Sequence, residues 1–471
     1  MGEALAPLLR AHPGKTGIFP LADPHDAFAA RIVLAQTAER TLDIQYYIWR
    51  TDVTGTLLFE ALHAAADRGV RVRLLLDDHN SSGLDATLAA LHSHPHIEVR
   101  LFNPFRFRRL RGLDFLTDFS RVNRRMHNKS FTADNQVTIV GGRNIGDEYF
   151  GAKEGLIFAD LDVMALGPVV RELSQEFDRY WGCGSSFPAD GILPPAAPSR
   201  IEELAAKAGR VEREPAAAAY MAAISQLPFI HRLLEGKLEL EWAVTRMVCD
   251  DPGKGLGLAA PESTLAYQLG EVIGDPVSDL ELISPYFVPT AAGVSAFSTL
   301  SLRGVRIKVF TNSLDATDVA VVHAGYAKRR KALLKAGVRL FELHRKLPKR
   351  RRKKRVGPFG SSGSSLHAKT FSVDRARIFV GSFNFDPRSA QLNTELGFVI
   401  ESPALAREIE AAFNDQIPAI AYEVRLSRGG RLLWFEHRGG QLIRHDTEPG
   451  GGFWKRAGIT LLSWLPIEWL L

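Results

Sequence analysis

The chain has 471 residues, 45% of them hydrophobic, and a formal net charge of +6. That length exceeds one ordinary core and the composition fills two, which excludes a disordered or fibrous chain and favours two globular domains. The two cysteines, Cys183 and Cys249, form no C-x-x-C pattern, which excludes a disulfide framework, speaks against a thiolate zinc site and suits a reducing compartment.

The N-terminal MGEALAPLLRAHPGKTG lacks the apolar run of a secretory signal, and Ala6 stands where a myristoylation signal has Ser or Thr. No segment reads as long enough to span a bilayer. From Leu42 to Asp78 an apolar run, an amphipathic stretch closed by Arg-Gly and a β-branched run predict strand, helix, strand. Such a unit implies a parallel pair joined by a crossover helix, hence an α/β sheet. The basic run RFRRLR, Arg106 to Arg111, suits an anionic partner or a solvated loop.

The block RRMHNKSFTADNQVTIVGGRN, Arg124 to Asn144, follows. His127 and Lys129 are two apart, so on a strand they share a face. Asp134 falls where the strand pattern yields to turn residues before Val137 to Val140 resumes it, which predicts a hairpin. Folding back about that turn is expected to bring Gly142 close to Lys129 and Asn144 near His127. A strand from Asp160 (DLDVMAL) and a helix (GPVVRELSQEFDRYWG) come next.

A Pro- and Ala-rich stretch then breaks the pattern, and the same order of elements returns. Leu280 to Ser313 repeats strand, helix, strand. RKLPKRRRKKR (Arg345 to Arg355) is a second basic run, and GPFGSSGSS is a flexible loop. SSLHAKTFSVDRARIFVGSFN repeats the block with His367, Lys369, Asp374, Ser382 and Asn384, and a strand from Glu395 and a helix follow. Internal duplication is the natural description. The expected domains are 1–190 and 236–425, with a linker or helical connection over 191–235 and a tail over 426–471. The tail ends FWKRAGITLLSWLPIEWLL, with three Trp, a Lys-Arg pair and a short apolar stretch, which suits either an interfacial membrane anchor or a segment docked on its own domain.

Two copies sharing His, Lys, Asp, Gly and Asn at identical offsets point to two half-sites that serve one reaction. Two lysines supply fixed positive charge and Asn144 and Asn384 supply amide donors, an arrangement suited to a phosphodiester whose oxygens gather charge in the transition state. One neutral His would attack phosphorus and the other, protonated, would give a proton to the leaving oxygen and later take one from the incoming alcohol or water. Asp134 and Asp374 read as turn-ordering residues. A nucleophilic imidazole needs a carboxylate on its other nitrogen. Glu395 is the candidate in the second half; in the first, Asp160, Asp162 and Glu148 all remain candidates. No further cluster looks like a metal site, so turnover without a metal or other cofactor is expected.

These residues resemble the phospholipase D superfamily, whose H-x-K-x4-D signature stands here as HNKSFTAD and HAKTFSVD. More narrowly, VGGRNIGDEYFGA, GSFNFDPRSAQLNTELG and LLSWLPIEWLL resemble the bacterial cardiolipin synthases of the C type. The resemblance implies two α/β domains related by a pseudo-twofold axis, each a mixed, mostly parallel sheet flanked by helices, with one site at their interface. It implies transfer of a phosphatidyl group to phosphatidylglycerol through a phosphohistidine, with His127 as nucleophile and His367 as acid and base. Gly142 stands where the second half has Ser382, so the halves are unequal. Anionic phospholipid, phosphatidylglycerol and the surface of the bacterial cytoplasmic membrane are the expected partners, with an accessory protein as a further candidate and no nucleic acid. The rival readings are a phospholipase D or nuclease-type phosphodiesterase, for which the second basic run would bind a nucleic-acid backbone, and a non-enzymatic membrane scaffold.

Overall fold

The computed structural model describes residues 1–108, 110–152, 157–196, 200–317, 319–344, 364–450 and 452. The second basic run, the loop after it as far as Gly363 and the apolar C-terminal segment lie outside the described residues, whereas Ser364 and Ser365 of that loop belong to a strand.

The chain divides into two compact units, and they are not the contiguous ranges that the sequence suggests. The first comprises Met1–Glu154, Asp162–Gln268 and the short piece Leu392–Phe398; the second comprises Gly155–Leu161, Leu269–Gln391 and Val399–Leu471. Each unit therefore includes a few residues that follow the His-Lys block of the other repeat.

In the first unit, the parallel strands Thr41–Tyr46, Arg71–Asp77 and Ile97–Phe102 form the middle of a mixed sheet. Thr41–Tyr46 is joined on its other side by the antiparallel hairpin Ser130–Ala133 and Val137–Gly141, and the sheet continues antiparallel through Asp162–Leu166, Thr16–Leu21 and Glu241–Cys249. The crossover between the first two parallel strands is the helix Val53–Asp67, whose N-cap Asp52 accepts from Gly55 N. In the second unit the parallel strands Asp279–Ile283, Arg306–Asn312 and Arg339–Leu343 play the same part, and the hairpin Thr370–Val373 and Arg377–Gly381 is added beside Asp279–Ile283. In the main sheet of each unit the parallel pairs join three strands, whereas the hairpins and the strands paired beyond them run antiparallel; a separate short parallel pair, Ile157–Ala159 with Ser364–Leu366, belongs to the second unit.

The connection forms the helices Arg200–Arg213, Pro215–Ser225 and Pro228–Leu234, within the range expected for it. The expected tail contributes instead a meander of Ala421–Leu426, Leu432–Arg438 and Gln441–His445, added to Arg339–Leu343.

Candidate active site

Each hairpin turns through two left-handed residues, Asp134 and Asn135 in the first unit and Asp374 and Arg375 in the second, with φ between 53° and 56°. Both central residues of a type I′ turn take this conformation, which Asp and Asn tolerate better than most side chains. The carboxylate of Asp134 accepts from the backbone N–H groups of Glu39, Arg40 and Thr41. Asp374 accepts likewise from Val277, Ser278 and Asp279, which holds its carboxyl below the ordinary value despite partial burial. Both aspartates tie the hairpin tip to the start of the neighbouring parallel strand. The ladders begin at Ser130 opposite Val140 and Thr370 opposite Val380. Gly381 N donates to Lys369 O at 3.4 Å, so Gly381, rather than Ser382, lies across from Lys369.

His127 and Lys129, and likewise His367 and Lys369, stand just before the strands, buried, with the ammonium of each lysine donating to the carbonyl of its own histidine. Within the first unit, His127 Nδ1 lies 3.0 and 2.8 Å from the two oxygens of Glu395. Within the second, His367 Nδ1 lies 2.6 Å from Asp160 Oδ2. These pairings correct the expected assignment: Glu395 orients the first histidine, not the second, and Asp160 the second, not the first. The swap follows from backbone pairing. His127 N donates to Thr394 O and Thr394 N donates to Arg125 O, which seats Leu392–Phe398 beside the first block. Ile157–Ala159 pairs in parallel with Ser364–Leu366, and His367 N donates to Ala159 O, which seats Asp160 beside the second. A carboxylate accepting at Nδ1 fixes that nitrogen as the protonated one in each ring.

Sequence reasoning missed the layer behind these pairs. Asp77, at the end of a central strand, accepts from Met126 N at 2.8 Å and from His79 N. Asn312, at the end of the corresponding strand of the second unit, accepts from Leu366 N at 2.9 Å and donates to Leu366 O at 3.0 Å. Each holds the residue preceding a site histidine. Asp250 accepts from Glu395 N, donates its own N–H to Glu395 O and pairs with Lys254 Nζ at 2.9 Å. Burial raises the carboxyls of Asp77 and Asp250 to about 6, against the lowering pull of Arg125 and Lys254 respectively. Aromatic rings flank both histidines: Tyr47 lies edge-on to His127 at 5.1 Å, and Phe158 is 5.1 Å from His367.

The remaining expected residues divide. Asp162 is buried against Arg31 at 2.8 Å and Arg143 at 3.4 Å, a structural ion pair. Glu148 is 3.5 Å from Arg50 rather than at His127. Asn144 accepts from Ile48 N and donates to Tyr149 Oη, so its amide orders a loop. Asn384 is buried, and its Oδ1 has no partner among the described residues. Ser382 is fully buried. Three potential metal ligands, His63, Asp67 and His94, lie together elsewhere in the first unit.

Residues 32–181 and 270–417 match the family model described as cardiolipin synthase, PLD-like domain. The chain belongs to the cardiolipin synthase, PLD-like domain family. The two matched ranges take in the two His-Lys blocks, so each PLD-like repeat carries one site histidine. Over its full length the chain is 52% identical to cardiolipin synthase C of Escherichia coli strain K12, covering 99% of that protein. It is 27% identical to cardiolipin synthase A of Pseudomonas aeruginosa over 82% of this chain and 64% of that one. In fold it is similar to the crystal structure of phosphatidylserine synthase of Haemophilus influenzae, with a TM-score of 0.62, 14% identity and coverage of 100% and 99%.

Proposed function

We infer that this PLD-like enzyme is a phosphatidyltransferase that makes cardiolipin, with phosphatidylglycerol as acceptor. The full-length identity to cardiolipin synthase C carries the reading. The finer steps are proposals. His127 Nε2 attacks the phosphorus of the donor lipid, and a P–N bond forms as the P–O bond to the leaving alcohol breaks. His367 gives that oxygen its proton. The hydroxyl of phosphatidylglycerol then attacks phosphorus, His367 takes its proton, and the P–N bond breaks to free His127. Lys129 and Lys369 supply positive charge to the phosphoryl oxygens.

Two observations support this order of roles. A phosphorylated imidazole that keeps its Nδ1 proton is cationic, and Glu395 faces that nitrogen with both oxygens. Lys369 Nζ lies 3.1 and 3.4 Å from the two nitrogens of His367, where a fixed cation opposes a second positive charge and suits a group that hands its proton on. We propose that the enzyme works at the bacterial cytoplasmic membrane as a peripheral protein. Among the described residues no helix is long and apolar enough to cross a membrane.

Incubation with phosphatidylglycerol and phosphatidylethanolamine in mixed micelles, read by product mass, tests the reading. Cardiolipin is the expected product. Phosphatidic acid alone, or cleavage of single-stranded DNA without cardiolipin, would replace it with the phosphodiesterase reading.

A further inference from the structure

Fourteen large apolar side chains are exposed among the described residues, and five of them, Phe107, Leu110, Leu113, Leu116 and Phe119, fall within thirteen positions. Leu110 and Leu116 are 65% and 83% exposed. Apolar surface concentrated in this way marks an interaction site, whereas single exposed leucines do not. The segment is also held in place. The buried Asp114 accepts from Phe107 N at 3.0 Å, and Arg111 donates to Asp78 O at 2.7 Å, so the leucines are presented rather than frayed.

Chemistry selects the occupant. The charged residues from Phe105 to Phe119 are four Arg and two Asp; Asp114 is buried, and the Arg106 side chain, 3.8 Å from Asp118, is 72% exposed. Leucine and phenylalanine alternating with arginine is the composition of a surface that enters the headgroup region of an anionic bilayer. Beside it, Arg106, Arg108 and Arg121 line a cavity of about 460 Å³ with the half-exposed Phe187 and Leu256.

The segment is also continuous with the first half-site. From His127, Tyr47 at 5.1 Å stacks on His79 at 6.5 Å, His79 meets Phe105 at 6.0 Å and Phe115 at 6.2 Å, and Phe115 meets the exposed Phe119 at 6.4 Å. A series of aromatic rings thus leads from the imidazole to the exposed Phe119.

We propose that Phe105–Phe119 is the surface by which the enzyme docks on an anionic phospholipid bilayer, placing the first half-site against the lipid. The proposal rests on the phosphatidyltransferase reading for its choice of lipid. Flotation of the full-length chain with vesicles of phosphatidylcholine, with and without phosphatidylglycerol, tests it. The wild type binds the anionic vesicles preferentially. Leu110→Glu/Leu116→Glu weakens that binding at least about tenfold, whereas Leu302→Glu, at a site 87% exposed in the other unit, binds as the wild type does. Should the double variant melt early, Leu116→Glu alone carries the test with a smaller loss in the same direction. Wild-type binding by the variants, equal binding to neutral vesicles, or no vesicle binding at all would overturn the proposal. Flotation is read without turnover, so a chain that docks yet makes no cardiolipin would instead overturn the functional reading.

Discussion

His127 faces Glu395 through two oxygens, at 3.0 and 2.8 Å, whereas His367 faces the shorter Asp160 through one, at 2.6 Å. Behind His127 stand two more carboxylates, Asp77 and Asp250; behind His367, the neutral amide of Asn312. The backbone frames match, yet the charges around them do not. Duplication has kept the geometry that fixes an imidazole and let the electrostatics diverge, which is what two unlike roles for two like residues require.

The largest test of that difference removes each histidine. His127→Ala and His367→Ala are each expected to lower kcat for cardiolipin formation by about 10³-fold or more. A donor with a p-nitrophenoxide leaving group, which needs no proton, separates them: release of nitrophenol recovers in His367→Ala and stays absent in His127→Ala. Equal recovery in both variants would make the half-sites interchangeable.

The orienting carboxylates come next. Glu395→Gln is expected to lower kcat about 10²- to 10³-fold by presenting the wrong tautomer at His127, with KM little changed, and Asp160→Asn to do the same at His367. Had each carboxylate served its own repeat, Asp160→Asn would leave His367-dependent proton transfer intact, so the solvent isotope effect on each variant checks the swapped pairing.

Asp250→Asn is expected to lower kcat about tenfold through Glu395, because the amide can accept from Glu395 N but no longer balances Lys254. A positioning role predicts that kcat falls while KM holds, and that Asp250→Glu fails to restore it.

A separate effect is on stability. Asp77 and Asp250 are raised from 3.8 to about 6, so between about pH 4 and 6 the folded chain binds more protons than the unfolded one. Their protonated forms contribute stability below about pH 4 that is lost as pH rises through 6, about 3 kcal/mol each. Urea midpoints should show this loss between pH 4 and 7, and Asp250→Asn should remove about half of it.

Much of this architecture is legible in the sequence, and the failures have physical causes. Strand, helix, strand at Leu42 and again at Leu280 is carried by local periodicity, and the turn at Asp134 by the left-handed tolerance of Asp and Asn. The carboxylate swap is not local: Glu395 lies 268 residues from His127 and Asp160 lies 207 from His367, and the strand pattern on which each carboxylate sits says nothing about which histidine it meets. Asp77 and Asn312 were findable, since LLLDD and VFTNS end corresponding strands of the two copies. The meander from Ala421 was hidden because its turn at Gly429 and Gly430 and its arginines resemble a solvated tail, although the short apolar and aromatic run LLWF is a strand signal.

Rapid quench with labelled donor lipid, followed by mass mapping of the peptides, tests the division of labour most directly. An acid-labile phosphatidyl adduct on His127, formed within one turnover and discharged by phosphatidylglycerol into cardiolipin, is the predicted result. An adduct on His367, or cardiolipin formed with no covalent intermediate on either histidine, would contradict it.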